Sequence, residues 1–162
     1  MVGGQGAGVR LPGEMTGKMS IEQHRARLRN TYERWLYEVW GNGNVEVVDE
    51  VLADGFVDHR PIPRFGPTRE GHKRLAADWH AAFPDLKLVI EDVVIKGDRL
   101  VGRYSGRGTH RGVFAGIPAT GAAVSFTEVD VIRFEGERIA EWWHNEDGQP
   151  LAQCVQLAAC LA

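Results

Sequence analysis

The sequence is poor in cysteine, and its two thiols, Cys154 and Cys160, fall in one apolar C-terminal stretch. On a helix a spacing of six turns them to opposite faces, so no disulfide between them is expected. Their number and placement fit a reducing cytoplasm and suggest no zinc site, with both residues acting as small packing groups. No apolar run approaches the ~20 residues of a membrane span. The N-terminus lacks the continuous apolar stretch of a signal peptide. Charge of one sign is not in excess either. Nineteen basic residues stand against 22 acidic ones, for a net charge of -3, which gives no electrostatic ground for nucleic acid or an anionic membrane as a partner. The histidines form no His-x-His or His-x3-His pair that could ligate a metal, and no Gly-x-Ser-x-Gly elbow offers a serine nucleophile. The glycine-dotted run 102–112 lies in a strand pattern, not at the strand-to-helix junction where a phosphate cradle forms. No metal is expected.

What is present suits one domain: 162 residues, 43% hydrophobic and 25% charged, long enough to bury a sizeable core. Residues 1–18, with six glycines and almost no apolar periodicity, read as a flexible leader, and residues 19–162 as a single domain. Ser20, followed by Glu22 and Gln23, marks a helix start. Leu28, Tyr32, Trp35, Leu36 and Val39 then recur at spacings of three and four, predicting a long amphipathic helix that ends at the turn 41–44. A short second helix is expected from Val45 to Ala53, and a third from about Thr68 to Phe83, stopped by Pro84. Between them, Phe56 to His59 reads as a short strand or loop. From Leu86 onward the period becomes alternating, with strands expected at Leu86–Ile95, Leu100–Thr109, Ala123–Phe134 and Arg138–Asn145. Gly97-Asp98 and Gly136-Glu137 are the hairpin turns. Residues 149–161 could form a final helix. Three helices followed by a meander of strands predict an α+β fold, a curved antiparallel sheet wrapped around three N-terminal helices, with an apolar pocket enclosed between helices and sheet.

The most informative strand is Ala123–Phe134. One face carries Val124, Phe126, Glu128, Asp130, Ile132 and Phe134, so two carboxylates sit in the middle of an apolar row. A buried carboxylate is tolerated only when paired, hydrogen-bonded or protonated, and such groups cluster at functional sites.

The stretch from Phe83 onward closely resembles the SnoaL-like polyketide cyclase and ester cyclase family. The residues that carry the likeness are Phe83-Pro84-Asp85, the Gly97-Asp98 turn, Gly108-Thr109-His110, Gly116-Ile117-Pro118, Thr120-Gly121, and Arg138-Ile139 with Glu141-Trp142-Trp143-His144; Phe56 to His59 fits the family's early strand. The resemblance spans roughly residues 20–155. It implies a cone of the nuclear-transport-factor-2-like superfold, usually a homodimer or higher oligomer, with cofactor-free acid–base chemistry inside. In the cyclases that close anthracycline rings, the acid/base is an aspartate on the last strand; the matching position here is His144, while Asp130 matches a pocket position on the preceding strand that is often histidine. The acid and base thus look exchanged between neighbouring strands.

On this reading Asp130 and His144 are the catalytic pair, with Asp130 orienting the imidazole. Glu128 is either a second base or a partner for Arg103 or Arg107. Of Asp58 and His59 only one can line the cavity, and motif matching favours Asp58. Trp79, Trp142 and Phe126 are expected as substrate-binding walls, and His110 as a substrate-binding residue or a brace for its glycine-rich loop. The expected activity is ring closure or isomerisation of an apolar, oxygenated, polyketide-like molecule in natural-product metabolism, in the cytoplasm. The alternatives are dehydration or epoxide opening in the same pocket, or ligand binding without turnover. Val129 and Val131, with Ala123 and Thr127, form a partly apolar outer patch through which a homodimer is expected to pack.

Overall fold

A computed structural model of the chain describes residues 19–147. The expected leader at 1–18 and the final helix expected at 149–161, with Cys154 and Cys160, lie outside the described residues. Helix α1 (Ile21–Arg34) starts at a reciprocal cap. Ser20 Oγ accepts from the Gln23 N–H at 3.1 Å, and Gln23 Oε1 accepts from the Ser20 N–H at 2.9 Å. Two N–H groups that the first helical turn leaves without partners are thereby satisfied. The apolar stripe continues into a π-helical turn, Trp35–Gly41, in which Trp35, Leu36, Val39 and Trp40 are all buried. Spacing alone predicts an uninterrupted helix here, because a single widened turn leaves the three-and-four pattern intact.

A 3-10 turn (Val45–Val47) and a one-turn helix α2 (Val48–Val51) follow, and the chain then extends as β1 (Leu52–Asp58). The helix expected up to Ala53 therefore ends two residues early. Leu52 already has strand dihedrals, and it pairs with Ile139. Helix α3 (Arg69–Ala82) is capped by Thr68 Oγ1, which accepts from the Gly71 N–H at 3.2 Å. The remaining strands are β2 (Lys87–Lys96), β3 (Arg99–Thr109), β4 (Ala123–Glu135) and β5 (Arg138–Asp147), within one or two residues of the expected bounds. Both hairpins close through two-residue turns whose first residue alone has positive φ, Gly97 at 61° and Gly136 at 62°. This is the II′ geometry that matches strand twist.

The sheet runs in the order β1-β5-β4-β3-β2. It is mixed and open rather than wholly antiparallel, since β1 pairs with β5 in parallel at Leu52↔Ile139 and Asp58↔Trp142. The core lies between the sheet and the helices, where Leu28, Trp35, Leu36, Val48, Leu100, Ile132 and Ile139 are fully buried. The other sheet face exposes Val89, Val94, Val101 and Val129 by 40% to 66%. No helix among the described residues is long and apolar enough to cross a membrane.

Between β3 and β4 a small turn stores strain. Phe114 and Ile117 exchange both backbone hydrogen bonds, at 3.0 and 2.8 Å, around Ala115 and Gly116 with φ of 51° and 85°. A side chain in the left-handed region costs ~1–2 kcal/mol. Ala115→Gly should therefore raise the unfolding free energy by roughly 0.5–1 kcal/mol after the extra chain entropy of glycine. Urea unfolding should show a higher midpoint with an unchanged slope; a lower midpoint would rule out the strained turn.

Candidate functional site

On β4, Val124, Phe126, Glu128, Asp130, Ile132 and Phe134 are all buried, so the strand's period of two carries both carboxylates to the helix side of the sheet. β5 lies antiparallel to it, with Asp130 opposite His144 and Glu128 opposite Glu146. The result is a cavity with some 530 Å³ of empty space, part of it continuous with solvent. Trp40, Leu75, Trp79, Phe126 and Trp142 form its apolar wall. Its polar groups are Asp58, Glu128, His144 and Glu146, with Arg60 beside them.

His144 is the centre of the polar wall. Its Nε2 lies 3.3 Å from Asp58 Oδ1 and its Nδ1 lies 3.3 Å from Glu128 Oε1. These are ion-pair contacts, and Nε2 has no aligned hydrogen-bond acceptor among the described residues. Burial pulls the imidazole pKa down, but Asp58 and Glu128 outweigh it and push the group up to about 9. The ring also stacks on Trp142, with centroids 3.8 Å apart and planes 15° from parallel, a face that favours a cation. His144 is thus an imidazolium at neutral pH. Glu146 is moved the opposite way for a carboxyl: burial, then the Glu128 charge, push it up to about 7.

Asp58 is fixed from both sides. Its backbone N–H donates to Pro67 O at 2.8 Å, and its Oδ1 accepts from the Arg60 N–H at 2.8 Å. The Arg60 guanidinium donates to His144 O at 3.2 Å and to Asn145 Oδ1 at 2.9 Å, which ties the end of β1 to β5. His59 turns outward, where its ring stacks on Trp143 at 4.2 Å and its Nε2 lies 2.7 Å from Glu141 Oε2. Of the adjacent pair, Asp58 therefore faces the cavity. Arg103, one partner considered for Glu128, pairs with Asp92 on the outer face instead.

Two expected site residues sit elsewhere. Asp130 is fully buried and is not part of the cavity wall. Its Oδ2 accepts from Tyr32 Oη at 2.8 Å and its Oδ1 accepts from Trp142 Nε1 at 2.7 Å. The expected pairing of Asp130 with His144 is corrected on this geometry. Although the two are opposite in register, the nitrogens of His144 face Asp58 and Glu128. Burial, then the Glu128 charge, hold the Asp130 pKa well above the carboxylate range. His110 is buried beside Phe83, its Nδ1 lies 3.1 Å from Thr120 Oγ1, and its backbone bonds Ala122 and Gly121. It braces the base of the 110–122 loop and does not line the cavity, which corrects its substrate-binding assignment.

Sequence reasoning missed His72, which is 2% exposed and accepts from Trp35 Nε1 at 2.9 Å. Burial drops its pKa to about 3, so it is neutral. It packs against Trp35, Trp40, Phe56 and Trp142 and supports the aromatic wall from behind. A lone histidine on a helical stripe gives no sequence signal for that role. Among the described residues no three His, Cys, Asp or Glu side chains are disposed to hold a metal ion.

Residues 30–155 match the profile of the SnoaL-like polyketide cyclases, and the chain belongs to that family. No curated protein matches it. Among solved structures it is similar to TsrD from Streptomyces laurentii, at 28% identity over 83% of this chain and 97% of that one, with a TM-score of 0.71. IdmH from Streptomyces antibioticus, a proposed polyketide cyclase, is 29% identical over 80% and 98% of the two chains, with a TM-score of 0.65. A further proposed polyketide cyclase, from Acidithiobacillus ferrooxidans, is 26% identical over 87% and 99%, with a TM-score of 0.69.

Two outcomes follow from the protonation states. Both Asp130 oxygens accept, from Tyr32 Oη and Trp142 Nε1; an amide keeps one acceptor for the indole and turns its NH2 toward the Tyr32 hydroxyl, which can rotate to accept. Asp130→Asn should therefore cost only about 1 kcal/mol, near the worth of one adjusted hydrogen bond. It should also remove the fall in stability that a raised carboxyl pKa imposes as pH rises above about 4, where only the unfolded chain releases the proton. Urea unfolding of both proteins from pH 4 to 9 tests this, and a loss of several kcal/mol at pH 7 would mean an ionised Asp130. For His144 the sign is opposite. Its contribution is fully present below about 6.5 and is lost as pH rises through 9. Its imidazole proton resonances should titrate near pH 9 by NMR; a midpoint at or below 6.5 would dissolve the ion-paired arrangement.

Proposed function

We propose that the protein is a cofactor-independent cyclase or isomerase, moving protons on an apolar, oxygenated, polyketide-like molecule held in the cavity. The observation that carries this reading is His144, an imidazolium in the cavity wall set 3.3 Å from each of two carboxylates. A cation and a carboxylate side by side supply the two roles that carbon-acid chemistry needs. The carboxylate takes a proton from carbon next to a carbonyl, and the imidazolium stabilises and then protonates the oxygen that becomes negative. We assign the base to Asp58, because Glu128 also faces Tyr104.

For ring closure the steps balance within one molecule. Asp58 removes the proton, and the enolate carbon bonds to a second carbonyl carbon of the same chain. The electron pair of that C=O moves to oxygen, which takes a proton from His144. The proton on Asp58 then passes to the neutral imidazole at its side, and the resting state returns. The apolar wall holds a flexible chain in a folded conformer, which lowers the entropic part of the barrier. Asp130 is a positioning residue in this scheme, fixing the indole on which the imidazolium lies.

The test is incubation with linear compounds that carry an acidic carbon and an internal ketone or aldehyde, followed by chromatography and NMR for a ring-closed isomer of unchanged mass. His144→Gln and Asp58→Asn should each lower kcat by ~10²–10⁴ with far smaller changes in KM. The double variant should lose little more, as members of one catalytic unit are non-additive. Full turnover in both single variants would remove the pair from the chemistry. Saturable binding without turnover of any such compound would make the cavity a binding site.

A further inference from the structure

Across three neighbouring strands the cavity face carries one polar row. Tyr104 on β3 stands opposite Glu128 on β4, and Glu128 stands opposite Glu146 on β5. All three line the cavity. Two members of the row are taken. Tyr104 and Glu128 are 5% and 7% exposed, Glu128 faces the Tyr104 hydroxyl, and its Oε1 lies 3.3 Å from His144 Nδ1. Asp58 is engaged by the Arg60 N–H and His144, and the Arg60 guanidinium by His144 O and Asn145 Oδ1.

Glu146 is the exception. Among the described residues its carboxyl makes no hydrogen bond and no ion pair. It is half-buried, and its oxygens are not among the atoms sealed away without a partner. The period of two on β5 sends Trp142, His144 and Glu146 to the cavity side, and Asp147 to the other side, where it pairs in register with the exposed Thr127. Glu128 opposes ionisation of Glu146 and His144 favours it; burial and Glu128 prevail and push the carboxyl up to about 7. Such a group takes both forms near neutrality. As an acid it can donate, and as a carboxylate it only accepts. A hydroxyl suits either form, because it accepts from the acid and donates to the carboxylate. A carbonyl or ether oxygen suits the acid alone.

We infer that Glu146 is a specificity residue of the cavity, hydrogen-bonding a hydroxyl group of the bound molecule while the apolar remainder packs on the aromatic wall. This rests on the reading of the cavity as a ligand site and narrows it: the guest is an alcohol or phenol in addition to being a carbonyl compound. The role is in binding and orientation, beside the groups that move protons.

Three unreactive probes share one ring system: naphthalen-2-ylmethanol, its methyl ether, and 2-ethylnaphthalene, which replaces the hydroxyl by a methyl group. Affinities are read by NMR titration of the indole N–H resonances in the full chain at pH 8, where Glu146 is ionised. Glu146→Leu keeps the bulk and removes both oxygens. It should weaken the alcohol by roughly 10-fold or more, the usual worth of a hydrogen bond to a charged group, and leave the ether and the hydrocarbon no weaker. Glu146→Gln, whose amide still hydrogen-bonds a hydroxyl, should keep part of the alcohol's affinity. Asp147→Asn removes a charge from the other side of the sheet and should alter none of the three. An unchanged alcohol affinity in Glu146→Leu, or the same loss for the ether as for the alcohol, overturns the inference while the cavity stands, and means that water is the partner of Glu146. Failure of all three probes to bind the wild type removes the ligand site itself, and the inference with it.

Discussion

The carboxyl of Asp130 is where the helix, the sheet and the cavity wall are tied together. It comes from β4, receives Tyr32 Oη from α1 and receives Trp142 Nε1 from β5, all without contact with solvent. Neither donor arrives by chance of sequence. Tyr32 lies on the buried stripe of α1, and it reaches β4 only because β3 offers Gly102 opposite Asp130. A Cβ at Gly102 would stand 2.3 Å from Tyr32 Oη, so any other residue there pushes the ring away. Trp142, held by its N–H edge, lays its face against His144 at 3.8 Å. The order of dependence is therefore a glycine, a tyrosine, a carboxyl, an indole and finally the imidazole in the cavity.

That chain of contacts sets the electrostatics. Glu128, Asp130 and Glu146 converge from two strands, Asp58 comes from a third, and one imidazole sits among them. Four neighbouring carboxyls in a half-buried space cannot all be charged at acceptable cost. The structure divides them by environment. Asp130, deepest and shielded by two neutral donors, is pushed toward its neutral form; Glu146, nearer the opening, is pushed less far. Asp58 and Glu128 share the one cation, and their contacts are what keep His144 charged against its own burial. Carboxyls of the same chemistry thus take different roles because each meets a different neighbour.

Much of this was legible in the sequence, for reasons that can be located. Alternation over 123–134 placed Glu128 and Asp130 on one buried face, and the paired glycine turns fixed the β2–β3 and β4–β5 hairpins. With them came the register that sets His144 opposite Asp130. Opposite in register is a statement about Cα atoms, however, and the side chains took other partners. Tyr32 arrived from a helix 98 residues away in sequence and Trp142 from 12 residues away. Strand parity contains no information about a donor approaching from outside the sheet. The parallel pairing of β1 was hidden for a related reason: its partner β5 follows a helix and three further strands, and the run 52–58 alternates poorly, with exposed Asp54 and Gly55 in its middle. The widened turn at 35–41 and the neutral His72 left no pattern at all, since both depend on how two surfaces meet.

The distribution of unmatched polar atoms points the same way as the geometry. Buried side-chain nitrogens without partners among the described residues are Trp40 Nε1, His72 Nδ1, His80 Nδ1, His110 Nε2 and His144 Nε2. Trp40, His72 and His144 belong to one continuous aromatic stack, in which Trp40 touches His72, His72 touches Trp142 and Trp142 touches His144. Each such group is worth about 1–3 kcal/mol of lost stability. A fold that satisfies both ends of Asp130 in the same few ångströms has the means to satisfy them as well. Trp40 and His144 line the cavity while His72 stands behind its aromatic wall, so this part of the fold is held by ring packing rather than by hydrogen bonds to those nitrogens, and it carries the cost of leaving them unmatched.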